Sequence, residues 1–124
     1  MSLPPMIKSI DHIAIIVSSE EGISFYKRLG FKELYRKERI NDTVVIIHLE
    51  GDGTKLEIFI DPNHPERVTN PEAKGLRHLA FKVNSIEETL KELDIEAGPV
   101  MNDWIGDRYC FISDPDGLPI ELHE

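Results

Sequence analysis

The chain carries one motif twice. Asp11-His12-Ile13-Ala14-Ile15-Ile16-Val17 returns as Arg77-His78-Leu79-Ala80-Phe81-Lys82-Val83, 66 residues later. Self-similarity at this distance restricts architecture more than local propensity does. Each copy reads as a strand followed at once by a helix start, Ser18 with Glu21 and Ser85 with Glu88. That spacing is a capping box, in which hydroxyl and carboxylate each satisfy a free backbone N–H. The first helix carries Ile23, Phe25, Tyr26 and Leu29 and stops at Gly30, a residue suited to the left-handed position after a helix. The second sets Ile86, Leu90 and Leu93 on one stripe, and Gly98-Pro99 ends any continuation.

Each half then runs into strands. Thr43–Leu49 and Lys55–Ile60 flank a Gly51-Asp52-Gly53 turn, and Tyr109–Ile112 and Leu118–Leu122 flank Asp114-Pro115-Asp116-Gly117. A weaker strand is expected at Glu33–Arg36 and another at Pro99–Trp104. The expected fold class is therefore α+β, two tandem βαβββ modules, over about 7–61 and 75–124, in a single domain of 1–124. The proline-containing stretch 62–74 reads as a linker rather than a flap over a site.

Composition narrows function by exclusion. The 124 residues are 40% apolar and 30% charged with a formal charge of −9, a profile of soluble globular chains. The acidic balance argues against a nucleic-acid partner, which needs clustered Lys and Arg, and against a polybasic membrane anchor. The longest apolar run, Ile13–Val17, is far below a bilayer span. Met1-Ser2-Leu3-Pro4-Pro5-Met6 has no secretory pattern. Cys110 is the only cysteine, so a reducing cytoplasm is the expected location.

Four polar residues break the apolar pattern at matched places. Period-two alternation sets His12 with Ala14 and Ile16 on one strand face, and His78 with Ala80 on another. Glu57 lies opposite Leu56 and Ile58, and Glu121 opposite Ile120 and Leu122; the two acids are 64 residues apart. A single histidine or glutamate on a strand is ordinarily a solvated or hydrogen-bonded residue. One imidazole and one carboxylate per copy is a different matter, because a twofold pairing of the copies would bring all four together. Gathered carboxylates repel and resist ionisation unless a cation joins them, and a divalent ion would also use the imidazoles.

Taken in order, His12-Ile13-Ala14-Ile15, Phe25-Tyr26 through Leu29-Gly30-Phe31, Leu56-Glu57-Ile58-Phe59, Arg77-His78-Leu79-Ala80-Phe81 and Asp114-Pro115-Asp116-Gly117 with Ile120-Glu121-Leu122 resemble the glyoxalase I, bleomycin-resistance and extradiol-dioxygenase superfamily, the vicinal oxygen chelate proteins. The resemblance covers nearly the whole chain and is closest to small bacterial glyoxalase-like proteins. It implies a cupped mixed sheet from two βαβββ modules, one divalent ion (Ni, Zn, Co or Mn) and the ligand set His12, Glu57, His78 and Glu121. It also implies glyoxalase I-type chemistry, the proton-transfer isomerisation of a small substrate chelating through adjacent oxygens, such as a hemithioacetal becoming a thioester. Glu121 is the expected base and Glu57 its symmetry partner. A homodimer is expected, with the site inside one chain or shared between two.

The sequence also departs from glyoxalase I. Ile16 stands where some bacterial members carry an arginine for glutathione, which leaves Arg77 or Arg108 to meet an anionic group; Arg108 is the candidate substrate-binding residue. Dioxygenases and fosfomycin-type transferases resemble three-ligand sites, so Glu57 argues against them. Acyl-CoA epimerases such as methylmalonyl-CoA epimerase, and drug-sequestering proteins of the bleomycin-resistance kind, are the rival readings. His48 reads as a satisfied strand residue, His64 and His123 as solvated, Trp104 and Tyr109 as closing the core, and Cys110 as a packed small hydrophobe.

Overall fold

The computed structural model describes residues 4–124; part of the leader reading above rests on residues outside these. The chain divides into two compact units between His64 and Pro65, inside the stretch expected to be a linker. No helix among the described residues is long and apolar enough to cross a membrane.

The first unit comprises β1 (Ile13–Val17), α1 (Glu20–Arg28), β2 (Lys32–Glu38), β3 (Thr43–His48) and β4 (Lys55–Ile60). Its sheet has the order β1-β4-β3-β2, with β1 parallel to β4 and the other pairs antiparallel. Alternation decides what is buried: Ile15, Val17, Val45, Ile47, Leu56 and Ile58 all turn to one face, where α1 contributes Ile23, Phe25 and Tyr26. Phe25 stacks on Tyr26 at 5.1 Å, and Phe31 meets Tyr26 edge-on at 6.2 Å. The helix begins one residue later than expected, because Ser19 is the cap and its Oγ accepts the Glu21 N–H at 3.2 Å. It ends as read from Gly30. That glycine, at φ 116°, lets its own N–H reach Lys27 O and the Phe31 N–H reach Tyr26 O, the paired bonds of a Schellman turn.

The second unit repeats the order with β5 (Leu79–Lys82), α2 (Ile86–Leu93), β6 (Met101–Asn102), β7 (Arg108–Ser113) and β8 (Pro119–His123), in a sheet ordered β5-β8-β7-β6. Again the first and last strands pair parallel. Ser85 Oγ accepts the Glu88 N–H, as the capping spacing predicts, and Ile86 N–H is taken by the Glu124 carboxylate at 2.9 Å. The helix stops well before Gly98, since Asp94 takes the left-handed conformation itself. The turn after β7 forms as read: Gly117 N–H bonds Asp114 O, while buried Asp114 accepts the N–H groups of Asp116 and Leu118 on Oδ1. β6 is far shorter than the expected 99–104 strand. Asp103 Oδ1 accepts the N–H groups of Ile105 and Asp107, turning the chain there and leaving Trp104 95% exposed rather than in the core.

Candidate metal centre

With the apolar faces covered by helices, each sheet keeps one face for other work. In the first unit that face carries Ala14 and Ile16 from β1, Glu57 and Phe59 from β4, and Val44 and Ile46 from β3. Glu57 pairs with Ala14 on one side and Ile46 on the other, so it lies on the two central strands. His12 stands one residue before β1, not within it, at the same parity as Ala14. Its Nδ1 lies 2.8 Å from Asp11 Oδ2, and this bond holds the Asp11 carboxyl below its usual range. In the neutral tautomer that donates Nδ1–H to Asp11, Nε2 keeps the lone pair a metal needs. Arg39 lies over the Phe59 ring at 5.5 Å and is gripped by both Asp42 oxygens at 2.6 and 2.7 Å.

The second unit repeats the arrangement with closer contacts. His78 stands one residue before β5, and Ala80 pairs with Glu121 as Ala14 does with Glu57. His78 Nε2 is 3.5 Å from Glu121 Oε1, and both side chains are largely covered. Phe111, cross-strand partner of Glu121, meets the His78 ring edge-on at 5.0 Å, and Tyr109 meets Phe111 edge-on at 6.0 Å. Each unit thus carries a matched histidine and glutamate, His12 with Glu57 and His78 with Glu121. Nitrogen and oxygen donors of these types suit Zn, Ni, Co and Mn.

Two residues fall differently from expectation. Arg108 shares the parity of buried Cys110 and Ile112, so it points to the helix side of β7, away from Glu121. There it pairs with Glu87 on α2 and with Glu124 at 2.9 Å, and both acids keep it charged. It braces α2 and has no place on the open face. Arg77, the other candidate cation, bonds Glu72 at 3.1 Å and is well exposed.

His123, read as a solvated chain end, is in fact part of the open face. Its Nδ1 lies 2.8 Å from Glu121 Oε2, and its Nε2 lies 3.3 Å from Asp107 Oδ2 and 3.5 Å from Asp103 Oδ2. The Glu121 bond and then the Asp107 bond raise its pKa. The signal was present in the sequence: His123 follows Glu121 by two on a strand, the spacing that shares a face.

A family model described as Glyoxalase/Bleomycin resistance protein/Dioxygenase superfamily matches residues 9–122. The uncharacterized protein YwkD of Bacillus subtilis (strain 168) is 45% identical over 128 residues, covering 96% of this chain and 98% of YwkD. The crystal structure of the glyoxalase family protein from Enterococcus faecalis is 42% identical with a TM-score of 0.86, covering 97% of this chain and 100% of that one. FosX, a genomically encoded fosfomycin resistance protein from Listeria monocytogenes, is 25% identical with a TM-score of 0.70, covering 95% and 93%. A mutant FosX, solved with Mn(II) and 1S,2S-dihydroxypropylphosphonic acid, is 23% identical with a TM-score of 0.68 over the same shares, 95% and 93%.

Proposed function

Because the chain belongs to the Glyoxalase/Bleomycin resistance protein/Dioxygenase superfamily, we propose that it is a divalent-metal-dependent enzyme of the glyoxalase I type, moving a proton between adjacent carbons of a small oxygen-chelating substrate. The observation that carries this reading is the duplicated His–Glu pair, one in each unit, with His78 Nε2 and Glu121 Oε1 3.5 Å apart in the second. His12, Glu57, His78 and Glu121 would hold the ion.

When bound, the ion supplies Lewis acidity to two neighbouring substrate oxygens, easing loss of a proton from the carbon beside a carbonyl. The remaining work belongs to side chains. Glu121 takes that proton and returns it to the adjacent carbon, with Glu57 its counterpart on the first unit. General-base work requires a carboxylate held in one orientation, and the His123 contact supplies this for Glu121. Phe111 and Tyr109 line the same face and help to keep water from the reacting carbons. With Arg108 committed to the helix side, no arginine of β7 is assigned to the substrate.

Metal analysis of untagged protein beside its Glu57→Gln and Glu121→Gln variants tests the ligand set. We expect about one ion per chain, lost from both variants. Metal content unchanged in both would remove these residues from coordination. Turnover of methylglyoxal hemithioacetals of several thiols would support the isomerase reading, and turnover of racemic methylmalonyl-CoA alone would transfer the chain to the epimerases. Neither activity, with tight drug binding by metal-free protein, would make it a sequestering protein.

A further inference from the structure

Building on the reading of Glu121 as ligand and base, we propose that His123 is the positioning residue of that carboxylate, anchoring Oε2 so that Oε1 stays turned toward His78. Three restraints converge on the imidazole. Nδ1 is 2.8 Å from Glu121 Oε2. Nε2 faces Asp107 Oδ2 at 3.3 Å and Asp103 Oδ2 at 3.5 Å. The Tyr109 ring stacks on it at 6.5 Å with 26° between planes. Asp103 is itself fixed, since its other oxygen accepts the Ile105 and Asp107 N–H groups at 3.0 and 2.8 Å. The chain of contacts therefore runs from a backbone-pinned aspartate through a stacked imidazole to the candidate base.

A glutamate side chain has three rotatable bonds, and freezing them at the moment of binding costs conformational entropy. Here that ordering is already in place. Polar partners behind a metal ligand typically matter 10–100-fold in affinity or activity when removed. Asp103, Asp107 and His123 form a donor trio close enough to take an ion on their own account. The experiment must therefore count ions as well as measure affinity.

Isothermal titration of the full chain with MnCl2, for wild type and three variants, does both. His123→Phe keeps a ring on Tyr109 and removes both nitrogens; it should weaken Mn(II) binding about 10-fold or more. His123→Asn places an amide donor near the Nδ1 position and should recover most of that loss. Unchanged affinity in the Phe variant overturns the proposal, and so does an equal loss in Phe and Asn. Two ions per chain, one of them lost in Asp107→Asn, also overturns it, because Nε2 would then be a ligand. A wild type that binds no Mn(II) removes the metal reading, and the positioning role is then judged on metal-free protein. Imidazole 15N–1H spectra should show a His123 Nδ1–H resonance displaced by its hydrogen bond and shifted in Glu121→Gln. If that resonance is the same in both proteins, His123 does not hold the carboxylate.

Discussion

A methyl group added at Gly22 would stand 2.6 Å from Cβ of Val17, with both of that residue's γ carbons within 2.8 Å. Val17 is fully buried at the end of β1, so it has nowhere to retreat. Alanine improves the intrinsic helix preference by about 1 kcal/mol, whereas overpacking a core costs roughly 1–3 kcal/mol. Gly22→Ala should therefore destabilise the protein by about 1 kcal/mol, the middle of the roughly 0–2 kcal/mol left when the helix gain is set against the overpacking cost, read as a lower midpoint in thermal unfolding. A midpoint at or above wild type would mean that α1 slides off β1 at no cost. Sequence alone points to Gly30, whose place after a helix is a local matter; Gly22 matters through a neighbour on another element. The same division runs through the polar residues. The faces of Arg108 and His123 follow from counting along β7 and β8, once Cys110, Ile112 and Glu121 are assigned. Their partners do not follow, because Glu87 and Asp107 belong to other segments.

Between α1 and β2 the interesting device is a bulge. The register of β2 against β3 slips between Glu33 and Tyr35, inserting Leu34 as an extra residue. In a regular strand Glu33 and Arg36 would face opposite ways; the insertion puts both on the helix side. Arg36 then bonds Glu33 through Nε and Nη2 at 3.1 and 2.9 Å and also bonds Glu20, while Lys27 reaches Glu33 at 3.1 Å. Arg36 foremost, then Lys27, depresses the Glu33 pKa from 4.5 to about 2. A carboxyl whose folded value is lowered contributes stability above its unfolded value and loses it as pH falls through the folded one. Glu33→Gln should be less stable than wild type at neutral pH, by roughly 1 kcal/mol for a partly exposed pair, and the gap should close between about pH 4.5 and 2. Denaturant unfolding at pH 7, 4, 3 and 2 measures it; a gap unchanged at pH 2 would assign the loss to packing. Elements such as β4 and α1 were legible from pattern, because alternate burial is written into the one and an apolar stripe at helical spacing into the other, whereas β2, exposed along almost its whole length, could be read only as a weaker strand. Their ends were less so. Ser18-Ser19-Glu20-Glu21 offers two adjacent caps, Asp94 can end a helix without a glycine, and the 99–104 strand yields to a side-chain bond from Asp103 that no periodicity announces.

At the scale of the whole chain, the duplication makes a claim that neither unit makes alone. His12 with Glu57 and His78 with Glu121 occupy equivalent positions, each histidine one residue before a strand and each glutamate paired with an alanine on it. That equivalence was readable from the two offsets of 66 and 64 residues, since a repeated fold must place repeated residues alike. What the offsets leave open is whether one ion draws on both pairs. A ligand that binds only the folded state stabilises it by about 2.7 kcal/mol at 100 times its dissociation constant, worth about 10 °C in a chain of this size. Wild type should show a shift of that order with saturating Mn(II), Zn(II), Ni(II) or Co(II). Under the proposed ligand set, Glu57→Gln and Glu121→Gln should each lose most of it, because an ion deprived of any one of four donors is held far more weakly. If the second unit bound the ion by itself, Glu57→Gln would keep the full shift while Glu121→Gln lost it. That pattern would reduce the first pair to a relic of duplication and leave one carboxylate, not two, available for proton transfer.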